Sequence, residues 1–193
     1  SNFGNMFSVP AALFLVPFLP MKPVQILLNN LLYDFAQVTI PTDKVDDDSV
    51  AEPKRWDIGF IKRFMIVFGP ISSLYDVLTY LVMLYVFHAD AALFQTGWFV
   101  ESLATQTLVI HVIRSRHSIR KSRASLALTL SSLGVVAIGS AIPYTPIGRF
   151  FGFVPLPAAF FAVLIAMTAA YLAMVNAVKR VFYKKGGVWG AGI

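Results

Sequence analysis

Six long apolar stretches, separated by short polar connections, set the pattern of this chain: residues 1–18, 22–40, 61–87, 96–113, 124–142 and 158–178. A helix needs about 20 apolar residues to cross the hydrocarbon of a bilayer. The period-two alternation of a water-filled barrel is absent, and helices are then the way to satisfy the backbone in lipid. The expected fold class is all-α, a polytopic membrane helix bundle of about six transmembrane helices. Prolines mark its joints. Pro10 is expected to kink the first span and Gly69-Pro70 to bend the third. Pro23 suits the first turn of the second span, where a missing backbone donor costs little. The turn 17–20 is short, so the second span is expected to lie antiparallel beside the first.

Polar residues inside these spans carry the chemical information. The stretch KPVQILLNNLLYDFAQVTI, Lys22 to Ile40, holds Asn29, Asn30, Asp34 and Gln37 within an apolar run. An ionisable residue at bilayer depth costs roughly 2.5–3.5 kcal/mol on insertion scales, so it usually faces a bundle interior and often marks an ion path. Asn30 and Asp34 are i and i+4 and share a helix face. A carboxylate beside amide oxygens suits a hard cation. The asparagines read equally as helix-packing groups, because Asn and Gln also bond neighbouring helices. Asn2 and Asn5 are i and i+3 on the first span, with Gly4 between them. The antiparallel pairing would bring them towards Asn30 and Asp34.

Asp76, near the middle of the third span, is a second intramembrane carboxylate, suited either to a cation path or to bonding a neighbouring helix. In the fourth span Trp98 suits an interfacial belt, and Glu101 and His111 lie towards opposite ends, where Glu101 is expected to reach water. Gln106 is the other polar member. His111 reads as a satisfied structural group, since His88 and His117 lie outside the spans and nothing completes a zinc set. The fifth span is rich in Ser, Ala and Gly, which favours close helix packing. Tyr144, Phe150, Phe151 and Phe153 suit interface anchors.

Composition agrees. The chain is 57% hydrophobic and 13% charged, with a mean hydropathy of +0.69. It has no cysteine, hence no disulfide, thiolate metal site or thiol chemistry. The net charge of +6 does not point to nucleic acid, because the basic residues flank apolar spans. Of the 16 Lys and Arg, 14 fall in or beside the 41–60 and 114–123 connections and after the sixth span. Only Lys22 and Arg149 fall on the other side. The basic side, with the C-terminus, is therefore expected in the cytoplasm. The acidic segment 41–57 faintly resembles a calcium loop but lacks its Gly and terminal Glu, and reads as a solvated connection. The chain opens on Ser1 in a helical run without a signal peptide, which suggests a fragment or excised domain.

Several motifs carry a family resemblance: SNFGN at 1–5, NNLLYD at 29–34, PTDKVDD at 41–47, RFMIVFGPISS at 63–73 and TGWFVESLATQTLVIHVIR at 96–114. Together, over nearly the whole chain, they resemble the C-terminal membrane half of bacterial magnesium-transporting P-type ATPases. The resemblance implies the last six of that family's ten transmembrane helices. It implies that Asn2 and Asn5 match fifth-helix cation-site positions, and that Asn30, Tyr33 and Asp34 match those of the sixth. It implies Mg²⁺ as the transported ion, the bacterial inner membrane as the location, and membrane lipid and the upstream part of the pump as partners. The family's phosphorylated DKTGT motif, nucleotide-binding domain, actuator loop and proline-containing fourth helix do not occur in these 193 residues. ATP chemistry is thus expected only in cytoplasmic domains outside them, with an incomplete cation site and no ATPase activity in this segment alone. Other readings are a stand-alone ion carrier or channel, for which inverted repeats would speak, and a non-transporting membrane partner of a full pump.

Overall fold

A computed structural model describes residues 2–43, 58–114 and 124–189, with side chains left out at 2–6, 60 and 184–189. The described residues form an all-α membrane helix bundle. Helix α1 is Asn2–Leu15 and α2 is Pro23–Gln37, followed by a 3₁₀ turn at Ile40–Thr42. Helix α3, Ile58–Leu81, runs on as a π-helical turn over Val82–Val86. Helix α4 is Ala91–Leu108, continued by the short α5, Ile110–Ile113. Helix α6 is Leu126–Ala141, the short α7 is Pro146–Phe150, and α8 is Ala158–Trp189. Three stretches are long and apolar enough to cross a membrane by themselves: Ile61–Val86, Leu126–Tyr144 and Ala158–Tyr183.

Local chemistry sets the helix ends. Pro23 opens α2, while the Gln25 side chain accepts the Lys22 backbone N–H at 2.9 Å. Asp90 caps α4 by accepting the Leu93 N–H at 2.8 Å, and Ser125 caps α6 through the Leu128 N–H at 3.1 Å. The Asp90 cap corrects the sequence reading of 88–95 as a loop: α4 begins at Ala91, a turn earlier than expected. The chain reverses before it at His88, whose φ is +46°, and the Ala89 N–H returns to the Met83 carbonyl at 2.9 Å. Helix α8 likewise runs past the expected end at 178. Helices α1 and α3 continue through Pro10 and Pro70.

Helix α4 is the axis of the bundle. Every residue from 94 to 107 is buried, because α2, α3, α6 and α8 all pack around it. Small residues let the helices close in. A Cβ built on Gly139 of α6 would sit 2.2 Å from Leu103 Cδ2, so the two helices meet where only hydrogen fits. Helix α1 packs chiefly along α3, while α2 lies against α4 and α6. The side-by-side pairing of the first two spans is therefore corrected. A short turn reverses the chain but does not force its flanking helices into contact, and the apolar face of α1 finds α3 instead.

Side-chain hydrogen bonds tie both ends of the bundle. At one end Gln25 Nε2 donates to Phe151 O at 3.0 Å, and Gln95 Nε2 to Leu19 O at 2.7 Å. At the other, Asp43 accepts from Arg114 and, at 2.7 Å, from the Ser125 N–H. There Lys179 Nζ, buried, donates to Val112 O at 2.7 Å. A cation on the last carbonyls of a helix is favoured by its dipole. The bulk of the acidic and basic connections, residues 44–57 and 115–123, lies outside the described residues.

Candidate functional site

Two groups of intramembrane carboxyls are present, and they differ in surroundings. The first is on α2. Its inner face, with Gln25, Asn29 and Ala36, is buried. Asn29 Nδ2 donates to the Phe99 carbonyl of α4 at 3.3 Å, and Asn29 Oδ1, also buried, meets no donor among the described residues. Asn29 is thus a helix-packing amide. Asn30 and Tyr33 are half-buried, and Asp34 is exposed. Asp34 shares its open face with Leu27, Leu31 and Phe35, which are 69%, 53% and 60% exposed. The side chains of Asn2 and Asn5 lie outside the described residues. Their backbone belongs to α1, which runs along α3.

The second group lies where α1, α3 and α4 meet. Asp76 is 3% exposed. Its Oδ2 accepts from Ser8 Oγ of α1 at 2.5 Å, and its Oδ1 from Trp98 Nε1 of α4 at 2.9 Å. Tyr80, one turn on from Asp76, donates to the Ser8 carbonyl at 3.1 Å and stands edge-on to Trp98, ring centroids 5.1 Å apart. Glu101 is 1% exposed and sits one turn beyond Trp98 on the same side of α4, beside the Asp76 carboxyl. Gln106 lies farther along α4 and donates to Ser102 Oγ at 2.6 Å.

Three sequence expectations change here. Trp98 is not an interface anchor: at 2% exposure its N–H is held by Asp76. A buried indole needs a partner for that N–H, and a carboxylate supplies one. Glu101 does not reach water, because α4 starts earlier than expected and is enclosed on all sides. Phe153 is buried at 2% against Phe99, whereas Phe150 at 84% and Tyr144 at 52% remain exposed. His111 behaves as expected, its Nε2 2.7 Å from Ser132 Oγ. Ser8 and Thr79 join the second group without having been singled out in the sequence; only their position one turn from other polar residues signalled them.

Among the described residues no three His, Asp or Glu side chains converge as a preformed metal cage. The oxygen-rich open face of α2 and the enclosed Asp76–Glu101 pair are the two places with chemistry to offer. One lies on an open helix face; the other is buried where α1, α3 and α4 meet.

Comparison with known proteins supplies the context. The chain is 44% identical over 192 residues to "Magnesium-transporting ATPase, P-type 1" of Escherichia coli (strain K12), covering 97% of this chain and 21% of that protein. It is 42% identical over 194 residues to the protein of the same name from Salmonella typhimurium (strain LT2), covering 98% and 21% respectively. The chain thus spans about a fifth of the length of these relatives. The model of the family described as "Cation transporting ATPase, C-terminus" matches residues 18–181. A match over that much of the sequence, in a bundle with intramembrane carboxylates on three of its helices, establishes that the chain belongs to this family of cation-transporting ATPase C-terminal regions.

Proposed function

We propose that this chain is the cation-binding transmembrane part of an ATP-driven magnesium transporter of the bacterial inner membrane, moving Mg²⁺ by alternating access. The observation that carries the reading is Asp34, a carboxylate on an open helix face one turn from Asn30 and adjacent to Tyr33. A charge on a face of Leu27, Leu31 and Phe35 suits neither lipid nor a dry helix contact. It suits a site that a cation and further helices complete. Mg²⁺ dehydrates reluctantly and is held by one or two carboxylates with waters retained, so one acid among neutral oxygens fits it. Asn2 and Asn5 of α1 are the neutral donors assigned from the family pattern. ATP hydrolysis belongs to cytoplasmic segments outside these residues, to which the conformational work is coupled.

The test is magnesium-stimulated ATPase activity of the complete pump. Asp34→Asn keeps the size and removes the charge, so half-maximal stimulation should need at least tenfold more magnesium. Asp90→Asn, at an exposed helix cap, should leave the dependence unchanged. Normal magnesium dependence in folded Asp34→Asn returns Asp34 to a packing role.

The orientation follows from the basic asymmetry, with residues 41–60, 114–123 and the C-terminus in the cytoplasm. The native chain has no cysteine, so single cysteines at Ser49, Ser118 and Thr145 give a clean readout. Ser49 and Ser118 should label from one side and Thr145 from the other. Labelling of Ser49 and Thr145 from the same side overturns the arrangement.

A further inference from the structure

We propose that Asp76 and Glu101 form a proton-binding site within the bundle: a carboxylic acid hydrogen-bonded to a carboxylate, holding one proton between them and exchanging it with water through the cavity beside Tyr33. The site is separate from the α2 face and does not depend on which cation that face binds.

The hydrogen-bond inventory of the pair carries the inference. The Asp76 carboxyl accepts from Ser8 and Trp98, one donor on each oxygen. The Glu101 carboxyl is buried, and neither of its oxygens receives a proton from another described residue. Two hydroxyls lie beside it, but each has a single proton committed to its own helix. Thr79 donates to Tyr75 O at 3.0 Å and Thr105 to Glu101 O at 3.0 Å. The neighbouring Ser102 hydroxyl accepts from Gln106. Among the described residues no Lys, Arg or His reaches the pair. The titratable groups that face it are the phenols of Tyr80 on α3 and Tyr171 on α8; α1 contributes Ser8, and α4 contributes Trp98 and Thr105.

Two adjoining carboxylates with no cation beside them among the described residues repel each other, and a proton held between them removes that repulsion. One added proton pairs the two carboxyls and leaves a single Glu101 oxygen as a buried acceptor without a donor among the described residues. Glu101 becomes an O–H donor to Asp76, and the Asp76 carboxylate accepts three hydrogen bonds, from Ser8, Trp98 and Glu101. Uptake adds one proton to one carboxylate oxygen and release returns it to water, with no other bond made or broken. The single negative charge rests on Asp76, where the donors are.

The exchange route is a cavity of about 120 Å³ between α2, α3, α4 and α8. Its polar lining is Tyr33, Ser72, Gln106 and Tyr171. That space is enough for several waters. Ser72 lies one helical turn from Asp76, and Gln106 bonds the serine next to Glu101. The cavity therefore reaches about one turn from Asp76 along α3 and about one and a half turns from Glu101 along α4.

Infrared difference spectroscopy tests this directly. The complete polypeptide carrying this segment is placed in lipid nanodiscs at neutral pH, and the Glu101→Gln spectrum is subtracted. The wild type should show the C=O stretch of a protonated carboxylic acid, shifted down in D₂O, absent from Glu101→Gln and moved in Asp76→Asn, where the charged acceptor is lost. Added magnesium should leave the band in place. In Gln106→Leu the deuterium shift should develop several-fold more slowly. Absence of the band in the wild type, or its survival in Glu101→Gln, overturns the proposal. Disappearance of the band on adding magnesium also overturns it, and makes the pair a cation site. An unchanged exchange rate in Gln106→Leu removes the cavity as the route. If Glu101→Gln fails to fold, the wild-type band and its displacement in Asp76→Asn still decide.

Discussion

The two carboxyl regions answer the same problem, an acid inside a membrane bundle, in opposite ways. Asp76 is enclosed by donors from two other helices, and its neighbour Glu101 lies within the most buried element of the molecule. Asp34 stands on an open face among Leu27, Leu31 and Phe35, one turn from Asn30 on the same helix. The enclosed group holds helices together and tolerates little change. The open one has no helix enclosing it among the described residues, as the proposed ligand role requires. Burial therefore separates structural from ligand-accessible acids, where sequence position alone ranks them together.

Substitutions sharpen this contrast. Asp76→Ala should have the largest effect on stability, because it removes the buried acceptor that ties Ser8 of α1 and Trp98 of α4 to α3. Leaving a buried donor such as the Trp98 N–H unpaired costs about 1–3 kcal/mol, and the lost tie to Ser8 adds to it. Thermal unfolding of the detergent-solubilised complete pump, with a fluorescent reporter of aggregation, should register it as a fall in midpoint; a wild-type midpoint would remove Asp76 from the role of helix tie. Gly139→Ala comes next. The added methyl meets the tip of the buried Leu103 side chain, which must turn aside, and overpacking of this kind costs about 1–3 kcal/mol. Trp98→Phe keeps the ring and deletes one hydrogen bond to a carboxylate, a change of about 1.5–3 kcal/mol before the smaller ring relaxes. In Trp98→Phe with Asp76→Asn the two losses should be less than additive, because they share one contact. Asp34→Asn should be smallest, within about 0.5 kcal/mol of wild type, as for other exposed positions. A large destabilisation by Asp34→Asn would collapse the distinction between the two regions.

Much of the architecture was legible in the sequence. Hydropathy fixed the helical class and the approximate spans, and the His111–Ser132 contact agrees with a structural reading of that histidine. The errors share a cause. Average residue preferences put Gln95 in a loop and Trp98 at an interface and give Thr96 no role beyond opening the fourth span, whereas each has a specific partner. Gln95 reaches Leu19, Thr96 accepts the Val154 N–H at 3.1 Å, and Trp98 reaches Asp76. The Asp76–Glu101 pair was illegible for a different reason. Its members lie on separate helices with no motif spacing between them, and only the packing of α3 on α4 makes them neighbours. Asn30 and Asp34 were legible because a single helix turn relates them.

Asp43 gives the bundle a mechanical property. Its carboxylate grips Arg114, just past α5, and the backbone N–H of Ser125, at the start of α6. Three chain crossings at one end of the molecule are thereby knotted at a single atom group that is 6% exposed. A displacement of residue 43 must therefore either break this junction or carry with it the helix ends on either side of the 115–123 connection. Asp43 works as a tendon insertion, turning a tug on one strand of the chain into a concerted displacement of two.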